Sequence, residues 1–169
     1  MKLLGIEIGA PPEERGTLGR LLERNQALRD VFAADPRLAK QLLRLQKWQS
    51  KRLLRSHDDL HADPRYRLAV EFFFNELYGA DARRRDTDMI KVQRAMERLL
   101  PREGLEALCL AVQLETLSQE LDADVARSLP PGGITVARYA EAYRRAGRRA
   151  DRERQIALTS EIGEYLDGV

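Results

Sequence analysis

Leucine and other large apolar side chains return every three or four residues through most of this chain, and no run of alternating β-branched residues competes with that spacing. The pattern predicts an all-α fold, a single-domain bundle of about six helices. Residues 1–16 carry Gly and Pro without a clear period and are expected to form a poorly ordered leader. Residues 17–169 are expected to form one helical domain. Thr17 should cap the first helix, which places Leu18, Leu21, Leu22, Leu28 and Phe32 on one side. Asp35-Pro36 opens a second with Leu38, Leu42, Leu45 and Leu53 on its stripe, ending near His61. Asp63-Pro64 opens a third that runs to Tyr78 and closes at Gly79. Asp86-Thr87-Asp88 caps a fourth, which Pro101 stops, and a fifth spans about 103–121. After the breaker Pro130-Pro131-Gly132-Gly133, Thr135 caps a long C-terminal helix that reaches roughly to Leu166.

The fifth helix has two apolar faces, one with Leu105, Leu108, Cys109 and Val112 and the other with Leu110, Leu114, Leu117 and Leu121, as a central, buried helix would. Glu106, Gln113 and Glu120 form a flank expected to meet water. The opposite flank, Ala107, Ala111, Glu115 and Ser118, is small enough for another helix to come close. Glu115 would then enter a tight contact and need a partner. On the third helix, Glu76 falls between two apolar lobes and is a second candidate buried carboxylate.

The C-terminal helix is uneven. Tyr139, Tyr143 and Ala146 share a face, but Gly147 to Gln155 holds one apolar side chain, Ala150, among four arginines. Either the helix kinks there or it carries a polar, partly buried middle. Arg144 and Arg148, four residues apart, present two guanidinium forks to one acidic group. Glu115 paired with Arg144 or Arg148 is therefore the expected ion pair, and Glu76, Glu115, Arg144 and Arg148 are the candidates for a ligand pocket.

Charge narrows the function classes. Lys and Arg number 29 against 27 Asp and Glu, a net +2, so composition gives no sign of the dense basic excess typical of nucleic-acid binders. Nucleic acid is thus the disfavoured partner, reached, if at all, through the arginines of the C-terminal helix. The stretch Leu3-Leu4-Gly5-Ile6 is too short for a signal segment, no apolar run is long enough to span a membrane, and the single Cys109 cannot close an internal disulfide. A cytoplasmic protein without a membrane partner is expected. Trp48 reads as a core residue.

The third helix carries "FFFNELYG", Phe72 to Gly79, with "RRDTDMIKVQRAMERLLP" (84–101), "LETLSQELD" (114–122) and "YAEAYRRAGRRADRERQI" (139–156) following in order. In these segments the chain resembles the small bacterial FFLEELY motif proteins, over most of its length after about residue 35. Phe74 stands where that motif has Leu, and Asn75 where it has Glu. The resemblance implies no activity, no cofactor and no catalytic residue.

His57 and His61 lie four residues apart with Asp58 and Asp59 near, a weak metal candidate without a defined third ligand. Two histidines at a helix C-terminus are also favoured by the helix dipole, so no metal is assigned. No phosphate loop or nucleophile elbow is present. The reading is a binding or interaction module without cofactor, its partner a second copy of the chain or another protein. The alternative is a small-ligand protein or enzyme with a polar pocket between the aromatic, central and C-terminal helices.

Overall fold

The computed structural model describes residues 2–3, 6–7, 12–56, 58, 62–64 and 82–167, with side chains at 17–56, 58, 62–64, 88, 89 and 92–165. The protein is all-α. Six helices occur among the described residues: α1 (Pro12–Ala34), α2 (Pro36–Ser56), α3 (Ala82–Leu99), α4 (Arg102–Ser128), α5 (Val136–Ala146) and α6 (Arg149–Asp167). A two-residue antiparallel ladder joins β1 (Lys2–Leu3) to β2 (Ile6–Glu7) ahead of them. Of the predicted aromatic helix from Asp63 to Tyr78, only Asp63 and Pro64 are described; the rest, Glu76 included, lies outside the described residues. Six helices are nevertheless found among the described residues, because the expected long C-terminal helix is two.

That break corrects the single long helix. Gly147 and Arg148 both have left-handed backbone, φ 66° and 62°. Two such residues in succession cannot continue a right-handed helix. Glycine adopts the conformation freely, whereas at Arg148 the side chain is anchored: its Nε donates to Asp151 Oδ2 at 2.7 Å and its Nη2 to Glu120 Oε2 at 3.2 Å. Asp151 also lies in the first turn of α6, where the helix dipole favours a carboxylate. Of the two alternatives for this polar segment, the kink is the one observed.

Helix starts follow local chemistry. Asp35 Oδ1 accepts from the backbone N–H groups of Arg37 (3.0 Å) and Leu38 (3.1 Å), and Thr135 Oγ1 accepts from that of Arg138 (3.2 Å). Elsewhere the boundaries move. Helix α1 begins at Pro12 rather than Thr17, with proline in the first helical position that its fixed φ suits. Helix α3 begins at Ala82, four residues before the expected cap, and α4 runs on to Ser128.

Two compact units are present. The first comprises residues 1–31, 86–121 and 147–169, and the second 32–85 and 122–146, so the dividing points fall inside α1, α3 and α4 and at the break between α5 and α6. In the first, Leu18, Leu22, Leu105 and Val112 form a buried cluster with Leu21, Met89, Met96, Leu100, Leu108 and Cys109 packed against it. Each fully buried leucine stabilises by roughly 2 kcal/mol. Buried apolar positions in the second unit are Phe32, Leu38, Leu42, Leu45, Ala123, Val125, Ala126, Leu129 and Ala142. The turn before α5 is held within this unit by two arginines. Arg138 Nη1 donates to the carbonyls of Pro131 (3.2 Å) and Gly133 (2.9 Å), and Arg44 Nη2 to that of Pro130 (3.1 Å).

Candidate functional site

Glu115 and Arg148 both form ion pairs among the described residues. Glu115 Oε1 accepts from Arg29 Nη2 of α1 at 2.5 Å, with the two side chains 31% and 17% exposed. Arg29 Nε also donates to Asn25 Oδ1 at 3.2 Å, as does Gln119 Nε2 at 3.3 Å, and Asn25 is only 2% exposed. Arg148 reaches α4 five residues beyond Glu115, at Glu120, which also accepts from Arg24 Nη2 at 3.4 Å. The flank expected to face water is therefore partly covered, with Glu120 and Glu106 both taken up by neighbouring helices of the first unit. Arg144 lies exposed on α5 and makes no ion pair among the described residues. Glu115 and Arg148 belong to the first unit and Arg144 to the second. The most deeply buried carboxylate of the described residues is Glu97, 7% exposed, which helical periodicity did not single out.

A groove of about 570 Å³ in the first unit is lined by Thr17, Leu105, Glu106, Cys109, Leu110, Gln113, Glu161, Glu164 and Tyr165. Tyr165 donates its hydroxyl to Glu106 Oε2 at 2.6 Å, and Arg102 Nε donates to Glu106 Oε1 at 3.0 Å. The tyrosine hydrogen bond holds the Glu106 carboxyl below its ordinary range against the opposing effect of burial, with Arg102 adding to it. The same bond pushes the Tyr165 hydroxyl up. Both shifts preserve one arrangement, a protonated phenol on an ionised carboxylate. Cys109, expected to be buried, is half-buried and lines this groove. No group of three metal-ligating side chains occurs among the described residues, and His57 and His61 lie outside the side chains described.

The arginines of the C-terminal segment are largely neutralised where they stand. Arg145 pairs with Glu141, Arg149 Nε with Glu153 at 2.8 Å, Arg154 Nη1 with Glu161 at 3.3 Å, and Arg148 with Asp151 and Glu120. Helix α2 is the opposite. Its 21 residues include seven cations and no carboxylate. The chain as a whole is only +2, so taking the seven away leaves everything outside α2 at −5. A near-neutral composition conceals a segregated charge.

The α2 cations are also aligned. Arg37, Lys40, Arg44, Lys47, Lys51 and Arg55 follow one another at intervals of three or four. At 100° per residue these positions fall within an arc of about 80° and extend for about 27 Å along the axis. Leu38, Leu42 and Leu45, the buried residues of α2, occupy the far side. Arg37, Lys40, Lys47, Lys51 and Arg55 are exposed and have no ion pair among the described residues. Beside this stripe Trp48 is half-buried rather than core, its ring 4.9 Å from that of Tyr139, and Arg52 lies over both at 5.6 and 5.9 Å. Tyr143 follows at 6.1 Å from Tyr139 and is 37% exposed.

No helix among the described residues is long and apolar enough to cross a membrane. No curated protein and no solved structure matches this chain. A family model described as "Domain of unknown function (DUF8198)" matches residues 28–169, which takes in α2 through α6 and most of the sequence, and the protein belongs to that family.

Proposed function

We propose that the protein is a helical binding module whose working surface is the basic stripe of α2 and whose partner is a polyanion. The observation that carries this reading is the row of five exposed cations, without ion pairs among the described residues, on a helix without a single carboxylate. Like charges three and four residues apart repel, so such a row costs the isolated fold stability and is offset when an anion binds. It also focuses a positive potential along one line, which concentrates and steers an anionic partner. A cytoplasmic setting, and kinship with the bacterial FFLEELY motif proteins through the segments after residue 35, belong to the same proposal.

The test is retention on immobilised heparin, a generic polyanion. The protein should elute only at elevated salt, and Lys40→Gln/Lys47→Gln/Lys51→Gln should elute much earlier. Elution of both in the starting buffer would overturn the reading. So would a light-scattering mass that doubles with concentration and falls to the monomer in the variant, because the stripe would then serve a second copy of the chain.

A small-ligand function draws support from the groove beside Glu106 and Tyr165, where three carboxylates, Glu106, Glu161 and Glu164, face one cavity. A ligand there would be cationic. A thermal shift with a panel of diamines and polyamines, lost in Glu164→Gln, is the corresponding test.

A further inference from the structure

We infer that the polyanion is single-stranded nucleic acid, its phosphates lying along the α2 stripe and its bases reaching the aromatic cluster of Trp48, Tyr139 and Tyr143. The inference rests on the polyanion reading and goes further by naming the partner. Three classes of partner carry enough negative charge: an anionic membrane, an acidic protein and a nucleic acid. A helix that lies on a membrane turns its apolar face to the lipid, but here Leu38, Leu42 and Leu45 are already buried within the protein. Protein interfaces gather apolar and aromatic anchors at the centre and are depleted in lysine, whereas the centre of this stripe is Lys47, with Lys40 and Lys51 on either side. A straight row of cations suits a polymer with one charge per repeat.

What separates single strands from duplexes is the neighbouring aromatic group. Trp48 falls next to the basic arc on the helical wheel, Tyr139 stands 4.9 Å from it, and Tyr143 extends the group to an exposed ring. Bases of a single strand have free faces that stack on such rings whatever the sequence, while those of a duplex are already stacked. Arg52, lying over Trp48 and Tyr139, supplies a further planar cation at the junction of stripe and rings. A cationic track for the backbone and an aromatic platform for the bases together are the two parts that sequence-tolerant single-strand binding requires.

Trp48 is the chain's one tryptophan, so its emission reports directly on this patch. The experiment titrates the full-length protein with an oligothymidylate of about ten nucleotides, an abasic oligomer with the same number of phosphates, the corresponding duplex, vesicles of mixed phosphatidylserine and phosphatidylcholine, and heparin. Binding is read by anisotropy and by Trp48 quenching. The oligothymidylate should quench Trp48 and bind about five- to a hundredfold more tightly than the abasic oligomer, the range expected for loss of base stacking. Tyr143→Ala should lose most of that difference, and Tyr143→Phe, which keeps the ring, should retain it.

Equal binding of the base-bearing and abasic strands would overturn the stacking inference and leave the polyanion reading standing. Tighter binding of the duplex or of the vesicles would replace the partner. Failure to bind any of the five, heparin included, would remove both readings.

Discussion

Neutralising the α2 stripe should weaken binding and strengthen the fold at once. In Lys40→Gln/Lys47→Gln/Lys51→Gln three of the five exposed cations without ion pairs among the described residues are lost, all on the solvent side of a helix whose buried residues are Leu38, Leu42 and Leu45. For a single strand, log K falls with log salt by about 0.7 per phosphate neutralised. Five contacts give a slope near −3.5, and two give about −1.4. Between 50 and 200 mM salt the wild-type affinity should then fall roughly a hundredfold and that of the variant by less than about tenfold. The same substitutions remove like-charge neighbours at 37/40, 40/44, 44/47, 47/51 and 51/55. Each costs about 0.2–0.5 kcal/mol at low ionic strength, so the variant should be more stable by about 1–2 kcal/mol. Anisotropy with a labelled oligothymidylate across a salt series gives the slope, and urea unfolding in low salt gives the stability. Opposite movement of the two is what a functional surface predicts, since activity is often maintained against stability. A slope unchanged by the triple substitution, or a loss of stability, would refute the reasoning.

Three further outcomes test the interior of the first unit. A double-mutant cycle between Arg29 and Glu115 should give a coupling of about 1 kcal/mol, above the usual surface pair because Arg29 is only 17% exposed, and a value near zero would show that the pair carries no net stability. Gly147→Ala should cost about 1–2 kcal/mol in urea unfolding, because alanine is strained at φ 66° even though the space beside it is open. Tyr165→Phe should flatten the pH dependence of thermal unfolding at both ends. With Glu106 held below its ordinary 4.5, the native state gives up stability as pH falls through the carboxylate range. With Tyr165 raised above its ordinary 10.0, stability is lost again as pH rises through the shifted value. Identical pH profiles for wild type and variant would mean that the hydrogen bond does not persist in solution.

Part of this molecule was legible because the information is local. Asp35 and Thr135 cap their helices through backbone N–H groups two or three residues away, and the leucine period fixes which side of α2 is buried before any other helix is placed. The polar run from Gly147 to Gln155 announced an irregularity in the same way, but whether it would bend or stay helical depended on two successive left-handed residues and on Glu120 as an anchor for Arg148. That anchor is 28 residues distant. Arg29 as a partner of Glu115 lay out of reach for the same reason, being 86 residues distant. A wheel shows that a carboxylate needs compensation, but not whether α1 or the C-terminal segment supplies it.

The candidate interface is also written in the chain, at positions 37, 40, 44, 47, 51 and 55, although the denser arginines lie near the C-terminus. Sequence determined how many cations each segment holds and which face of a helix they share, because both follow from the order of residues and the 3.6-residue turn. Only the tertiary structure decided which of those charges are free. Arg145, Arg148, Arg149 and Arg154 find carboxylates within the C-terminal segment or on α4, while α2 has none of its own and its outward cations meet none among the described residues. Net electrostatic potential depends on distances between charges, and those distances exist only once the chain has folded.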